Sequence, residues 1–135
     1  MMIKVESTNR DLLDLFRGLE AVKTIKGARF AVLVGKNLKE LKYKLTPIEE
    51  AAAPTVAFQE ISIQMRDLME AEDTDGVKKL EEENKGLIEE RKTQMASVED
   101  MLDASASVDL HKIREDQLPE EITGEQIEKI LELII

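Results

Sequence analysis

Residues 107–127, SVDLHKIREDQLPEEITGEQI, bring together the chain's only histidine, His111, and six carboxylates. On an extended segment Asp109 and His111 share one face, so a carboxylate–imidazole pair for metal binding or proton transfer is geometrically allowed. With Glu115 as a third candidate the donor set remains thin, because a metal wants more ligands than one imidazole and a mobile carboxylate. A Ser–His–Asp arrangement needs its histidine beside a buried acid, whereas the neighbours of His111 are charged and solvated. The expectation is therefore that His111 is a solvent-facing strand residue and that the stretch is a hinge between a strand and a closing helix.

The other concentrations of charge read the same way. KKLEEENKGLIEERK, residues 78–92, holds Glu81, Glu82, Glu83, Glu89 and Glu90 interleaved with Lys78, Lys79, Lys85, Arg91 and Lys92. Paired carboxylates do general acid/base work only in an apolar cleft; interleaved with cations they mark a solvated helix face. The six glycines are scattered, so no phosphate-cradling loop is present. One histidine excludes an H-E-x-x-H helix, and the absence of cysteine excludes thiolate metal sites, disulfides and cysteine nucleophiles. No enzyme activity, metal or cofactor is expected. KTIKGARFAVLVGKNLKELKYK, residues 23–44, carries seven basic residues and one acid, Glu40. A phosphate-tracking helix is conceivable there, but a pI near 4.7 and only Phe30 and Tyr43 for stacking make nucleic acid the lesser expectation.

These residues must be carried by helices. Leu12, Leu15, Phe16, Leu19 and Val22 recur at helical spacing behind Thr8, which stands three before Asp11 as an N-cap, predicting a helix over 9–22. Phe30, Val34, Leu38, Leu41 and Leu45 predict a second over 28–45, with Arg29, Lys36 and Lys39 on its far side. Thr46, Pro47 and Glu49 fit either a fresh helix start or a kinked continuation, and Pro54 raises the same alternative. Phe58, Ile61, Met65, Leu68 and Met69 predict a helix over 56–71, and EDTDG at 72–76 a turn. Beyond it Leu80, Leu87, Ile88, Met95, Val98, Met101 and Leu102 predict one long helix, 76–103, whose seam Asn84 and Arg91 interrupt.

Short strands are expected at 2–6 and 108–113, where apolar residues alternate, and these are expected to pair. Thr123 and Gln126 form a capping box before Ile127, Ile130, Leu131 and Ile134, predicting a closing helix over 124–134. Three turns are not stable alone in water, so that isoleucine face must dock, on this domain or on a second chain. The fold class expected is mainly α: an antiparallel helical hairpin or bundle with two short paired strands and a C-terminal closing helix, as a single domain 1–135.

Charge is unevenly spread. Residues 1–45 hold ten Lys/Arg and five Asp/Glu; residues 46–135 hold nine and twenty-four. Either the halves neutralise each other or a basic face, with Arg29, Lys36 and Lys39, stays free for an acidic partner. No apolar run is long enough for a membrane span, and MMIKVESTNRD lacks the apolar core of a signal peptide.

NRDLLDLFRGL, KGARFAVLVGKNLKEL, ASVEDML and the tail VDLHKIREDQLPEEITGEQIEKILELI together resemble small uncharacterised proteins of tailed phages and prophages. The likeness lies in spacing and residue type over nearly the full length, and the TPIEEAAAPT stretch departs from it. It implies a viral origin, a helical body with a short strand and closing helix, and a place in the host-cell cytoplasm or the virion; it carries over no functional residues. The function expected is non-enzymatic protein–protein contact, as a virion or assembly component or a factor binding a host protein. A scaffold- or chaperone-like coiled-coil oligomer, with Leu80, Leu87, Met95, Val98 and Leu102 as an intermolecular seam, is the alternative. The partner-facing residues expected are Ile127, Ile130, Leu131 and Ile134, with the cations Arg29, Lys36 and Lys39.

Overall fold

A computed structural model describes all of residues 1–135. The fold is mainly α, with one two-stranded antiparallel sheet. Where length suggested one domain, the residues group into two compact units, Met1–Pro47 with Met101–Ile135, and Ile48–Asp100.

In the first unit strand β1 (Met2–Thr8) runs straight into helix α1 (Asn9–Val22). Thr8 makes the switch: its backbone is extended and its hydroxyl accepts from the Asp11 amide at 3.2 Å. The Asn9 side chain donates to the Met101 carbonyl at 2.9 Å, and its backbone N–H to Ala104 at 3.0 Å. The start of α1 is thereby held where strand β2 (Ser105–His111) begins. The strands pair from Met2 with His111 to Thr8 with Ser105. The sheet is longer than expected, and β2 lies three residues earlier, because the small run Ser105–Ser107 has no helical stripe and pairs with Glu6–Thr8. Ile113, placed by sequence at the end of that strand, instead makes a parallel bridge to Ile134.

Helix α2 (Ala28–Ala52) begins after a turn in which Gly27 has φ of 144°, a conformation that favours glycine. The helix is continuous through Pro47, so Thr46 and Pro47 do not begin a fresh helix, whereas Pro54 lies in the break between α2 and the helix that starts at Val56. Thr46 donates its hydroxyl to the Lys42 carbonyl at 2.6 Å just before the proline.

In this unit Phe30, Val34, Leu41 and Leu45 are buried with Leu12, Leu15, Leu19 and Val22 of α1, and with Val5, Leu110, Ile113, Ile130 and Leu133. Among them sits Asn37, which is completely inaccessible to solvent. Its side-chain amide donates to the His111 carbonyl at 2.9 Å, and its side-chain oxygen accepts from the His111 N–H at 2.7 Å. One amide therefore does for His111 what a third strand would do at that residue, and no buried polar side-chain atom is left without a partner.

The closing segment is shorter than its apolar periodicity implied. The closing helix expected over 124–134 is cut short: helical backbone runs only over Gly124–Lys129, with the expected Thr123–Gln126 capping box in place. A 3-10 turn follows at Leu131–Leu133. The helix yields because the tail is drawn beside Ile113, whose N–H donates to Leu133 at 2.8 Å and whose carbonyl accepts from Ile135 at 3.0 Å. Gly18 makes room for this tail on α1, since a Cβ there would lie 3.1 Å from the Lys129 carbonyl oxygen and 3.3 Å from Ile130.

Two carboxylates feel this packing. Asp11 is held below its ordinary range, chiefly by the hydroxyl of Ser7, which donates to it at 2.6 Å, and then by Thr8. Glu132 is pushed up, first by desolvation and then by the charge of Asp11. A raised pKa in the folded state favours the protonated form, so the stabilisation is fully present below the unfolded value and is lost as pH rises through the folded one. Glu132→Gln should accordingly raise the melting temperature at about pH 7 and change it less at about pH 4, read by thermal denaturation at both.

Asn37→Leu should lower the unfolding free energy by about 2–5 kcal/mol in chemical denaturation, because two buried backbone groups lose their partners. Asn37→Asp should lose less in mild acid than at neutrality, since only the protonated carboxyl can donate to His111.

Candidate functional site

The second unit, Ile48–Asp100, is built on a helical hairpin. We number its helices α3 (Val56–Glu70), α4 (Thr74–Glu83) and α5 (Lys85–Asp103), and call the tail helix Gly124–Lys129 α6. Thr55 caps α3 by accepting from the Phe58 amide at 3.2 Å. Asp73 caps α4 by accepting from the Gly76 amide at 2.9 Å, and Glu72 before it adopts φ of 57° to reverse the chain. The single helix expected over 76–103 is interrupted at Asn84. Its side chain donates to the Leu80 carbonyl at 3.0 Å while its own backbone leaves helical geometry, a local bond competing with the helix ladder.

A polar clamp holds the corner between α2 and α3. The last carbonyls of α2 have no helical amide ahead of them, because the helix ends at Ala52. Gln94 of α5 donates to the carbonyls of Ala51 and Ala53, each at 2.8 Å, and Arg91 donates to that of Ala52 at 2.8 Å. Arg91 also accommodates the Gln94 side-chain oxygen at 2.9 Å and lies 5.6 Å from the centre of the Phe58 ring. Its positive charge at a helix C-terminus is electrostatically favourable.

What the clamp positions is a groove of about 770 Å³. Phe58, Ile61, Met65 and Met69, at steps of three and four on one face of α3, form its floor with Ile88 of α5. Arg66, Glu81, Glu82, Lys85, Glu89 and Lys92 stand at its rim. Lys92 pairs with Glu89 at 3.6 Å; Glu81 and Glu82 have no ion pair. The floor is incompletely covered: Ile61 is buried, Phe58, Met65 and Ile88 are half-buried, and Met69 is 60% exposed.

This openness is a property of the whole unit. The first unit buries fourteen hydrophobic side chains, whereas residues 48–100 bury only Ile48, Ile61 and Val98, so the apolar stripes of the hairpin stay half open to water. A groove of this kind binds by apolar contact and shape. Its charged groups are exposed at the rim, where they steer and orient a partner.

The residues expected to face a partner are scattered in this arrangement. Ile130 is fully buried in the first unit, Ile127 and Ile134 are half-buried, and Leu131 is 58% exposed. The backbone change after Lys129 turns what read as one stripe to different sides, and Leu133, which fell outside it, becomes fully buried. Arg29, Lys36 and Lys39 are exposed and make no ion pair within the chain. The same face of α2 shows Val32 and Tyr43, the tyrosine 81% exposed. Of the expected seam, Leu80, Leu87 and Met95 are half-buried, while Val98 and Leu102 are already buried within the chain.

His111 is held through its backbone by Asn37, with its imidazole partly exposed. No group of three or more histidine and carboxylate side chains converges closely enough to hold a metal ion. No helix is long and apolar enough to cross a membrane. Comparisons with protein-family models, curated proteins and solved structures found no match.

Sequence reasoning had every floor residue of α3 in its stripe but not the groove. The residues opposite, from Glu81 to Lys92, read as a solvated helix face and gave no sign of it.

Gln94→Ala should release two terminal carbonyls of α2 and lower stability by about 1–2 kcal/mol. It should also speed amide exchange at residues 51–58, measured by hydrogen–deuterium exchange, while leaving α1 unchanged.

Proposed function

We propose that this chain is a non-enzymatic protein of a phage or prophage that works by protein–protein contact, with the α3–α5 groove as its contact surface. The observation that carries the reading is the uncovered apolar floor. Met65 is half-buried and Met69 exposed, in a unit with only three buried hydrophobic residues. Methionine suits such a surface because its flexible, polarisable side chain repacks against a partner's shape. The charged rim is exposed and interleaved, the pattern of a docking edge, and the resemblance of the chain's segments to small phage proteins supports the viral setting. A virion or assembly component, or a factor that engages a host protein, would each use such a face.

A photo-crosslinking residue placed at Met65 or Met69 tests this in cells carrying the gene in its native context. A discrete adduct from these positions, absent when the residue is placed at exposed Lys26, is the expected result. Adducts identical from both faces, or none from the groove, would reject the contact surface. Turnover of a substrate by the purified chain, abolished by changing one carboxylate, would reject the non-enzymatic reading.

A further inference from the structure

Resting on the groove as the contact surface, we infer that its occupant is a basic amphipathic helix of a partner protein. The length fits: from Phe58 to Met69 the floor extends along α3 for about 17 Å at 1.5 Å per residue, the length of three helical turns. The floor offers apolar side chains at the helical steps of three and four into which another helix's apolar stripe packs.

Charge then selects among helices. Residues 48–100 carry fifteen Asp/Glu and six Lys/Arg, a net charge of −9. The excess is not spread evenly along the groove. The rim itself is balanced, Glu81, Glu82 and Glu89 standing against Arg66, Lys85 and Lys92, with Glu89 and Lys92 paired toward the Phe58 end. The excess lies at the hairpin tip beyond Met69, where residues 70–85 carry seven Asp/Glu, among them Glu70, Glu72, Asp73 and Asp75, against three Lys. A partner helix therefore places its cations over Met69 and the tip, within the ~8 Å screening length of physiological salt.

The same charge disfavours other occupants. Two copies of the chain meeting through this face would bring −9 against −9. Nucleic acid and anionic lipid surfaces are repelled for the same reason.

The test is fluorescence anisotropy of the full chain with two labelled synthetic peptides of about fourteen residues, long enough for three helical turns. One has leucines at helical spacing with lysines between them; the other has glutamates in place of the lysines. The lysine peptide is expected to bind and the glutamate peptide not to. Met65→Gln with Met69→Gln, at positions open enough to leave the fold intact by far-UV circular dichroism, should weaken binding about tenfold. Glu81→Lys with Glu82→Lys should weaken it about tenfold, whereas Glu49→Lys with Glu50→Lys, equal in charge and away from the groove, should cost no more than about threefold.

Equal losses from the two acidic pairs would mean attachment by net charge and overturn the inference, as would binding of the glutamate peptide. Sedimentation showing a dimer that dissociates in the methionine double variant would make a second copy the occupant and overturn it too. A groove adduct in cells without lysine-peptide binding would overturn the basic helix while leaving the contact surface standing; loss of both would remove the two together.

Discussion

The two hydrogen bonds between Asn37 and the backbone of His111 set the geometry of the first unit. A two-stranded sheet has an outer edge whose N–H and C=O groups need partners, and burying that edge unpaired costs more than a typical mutation. Asn37 supplies partners to both backbone groups of His111 on that edge, so α2 can lie against β2 there. Once that edge can be buried, Phe30, Val34 and Leu41 on the same helix face can share a core with Leu110 and with α1. The tail then closes over Gly18 and bonds to Ile113.

The second unit contrasts with the first. Its corner is fastened by polar bonds from Gln94 and Arg91 to the end of α2, and its helices are capped by Thr55 and Asp73. Local hydrogen bonding thus orders the backbone, while apolar burial stays incomplete. A hairpin with so little buried surface gains stability from whatever covers it, because any ligand that binds only the folded form shifts the equilibrium toward that form. Openness at the groove and order in its supports are compatible, and together they make a preformed surface that needs little rearrangement to bind.

Much of this was legible in the residues. Thr8, Thr123 with Gln126, and the stripes of α1 and α3 announced their elements, because caps and periodicity act over a few positions. The pairing of the first strand with the one after α5 followed from alternation. Asn37 was not legible: it stands three after Val34 and four before Leu41, inside the buried stripe, yet its polarity made Leu38 look like the core residue. Only the tertiary position of His111 gives an amide a reason to be there. The tail misled for a related reason. Ile127, Ile130, Leu131 and Ile134 form a helical stripe on paper, but backbone bonding to Ile113 outweighs propensity in so short a segment. The interruption at Asn84 was not legible either, because its capacity to end a helix or sit within one is decided by neighbours beyond its own sequence window.

The central claim is that the apolar stripe of residues 56–95 is uncovered in the free chain and the stripes of the first unit are not. Hydrogen–deuterium exchange of the free protein, resolved along the chain, tests it most directly. The account predicts that amides of α3 and α4 exchange well before those of α1 and of α2 around Asn37, since incomplete burial lowers the cost of local opening. Equal protection in the two units, or slower exchange in α3, would mean the groove is already covered and would contradict the account.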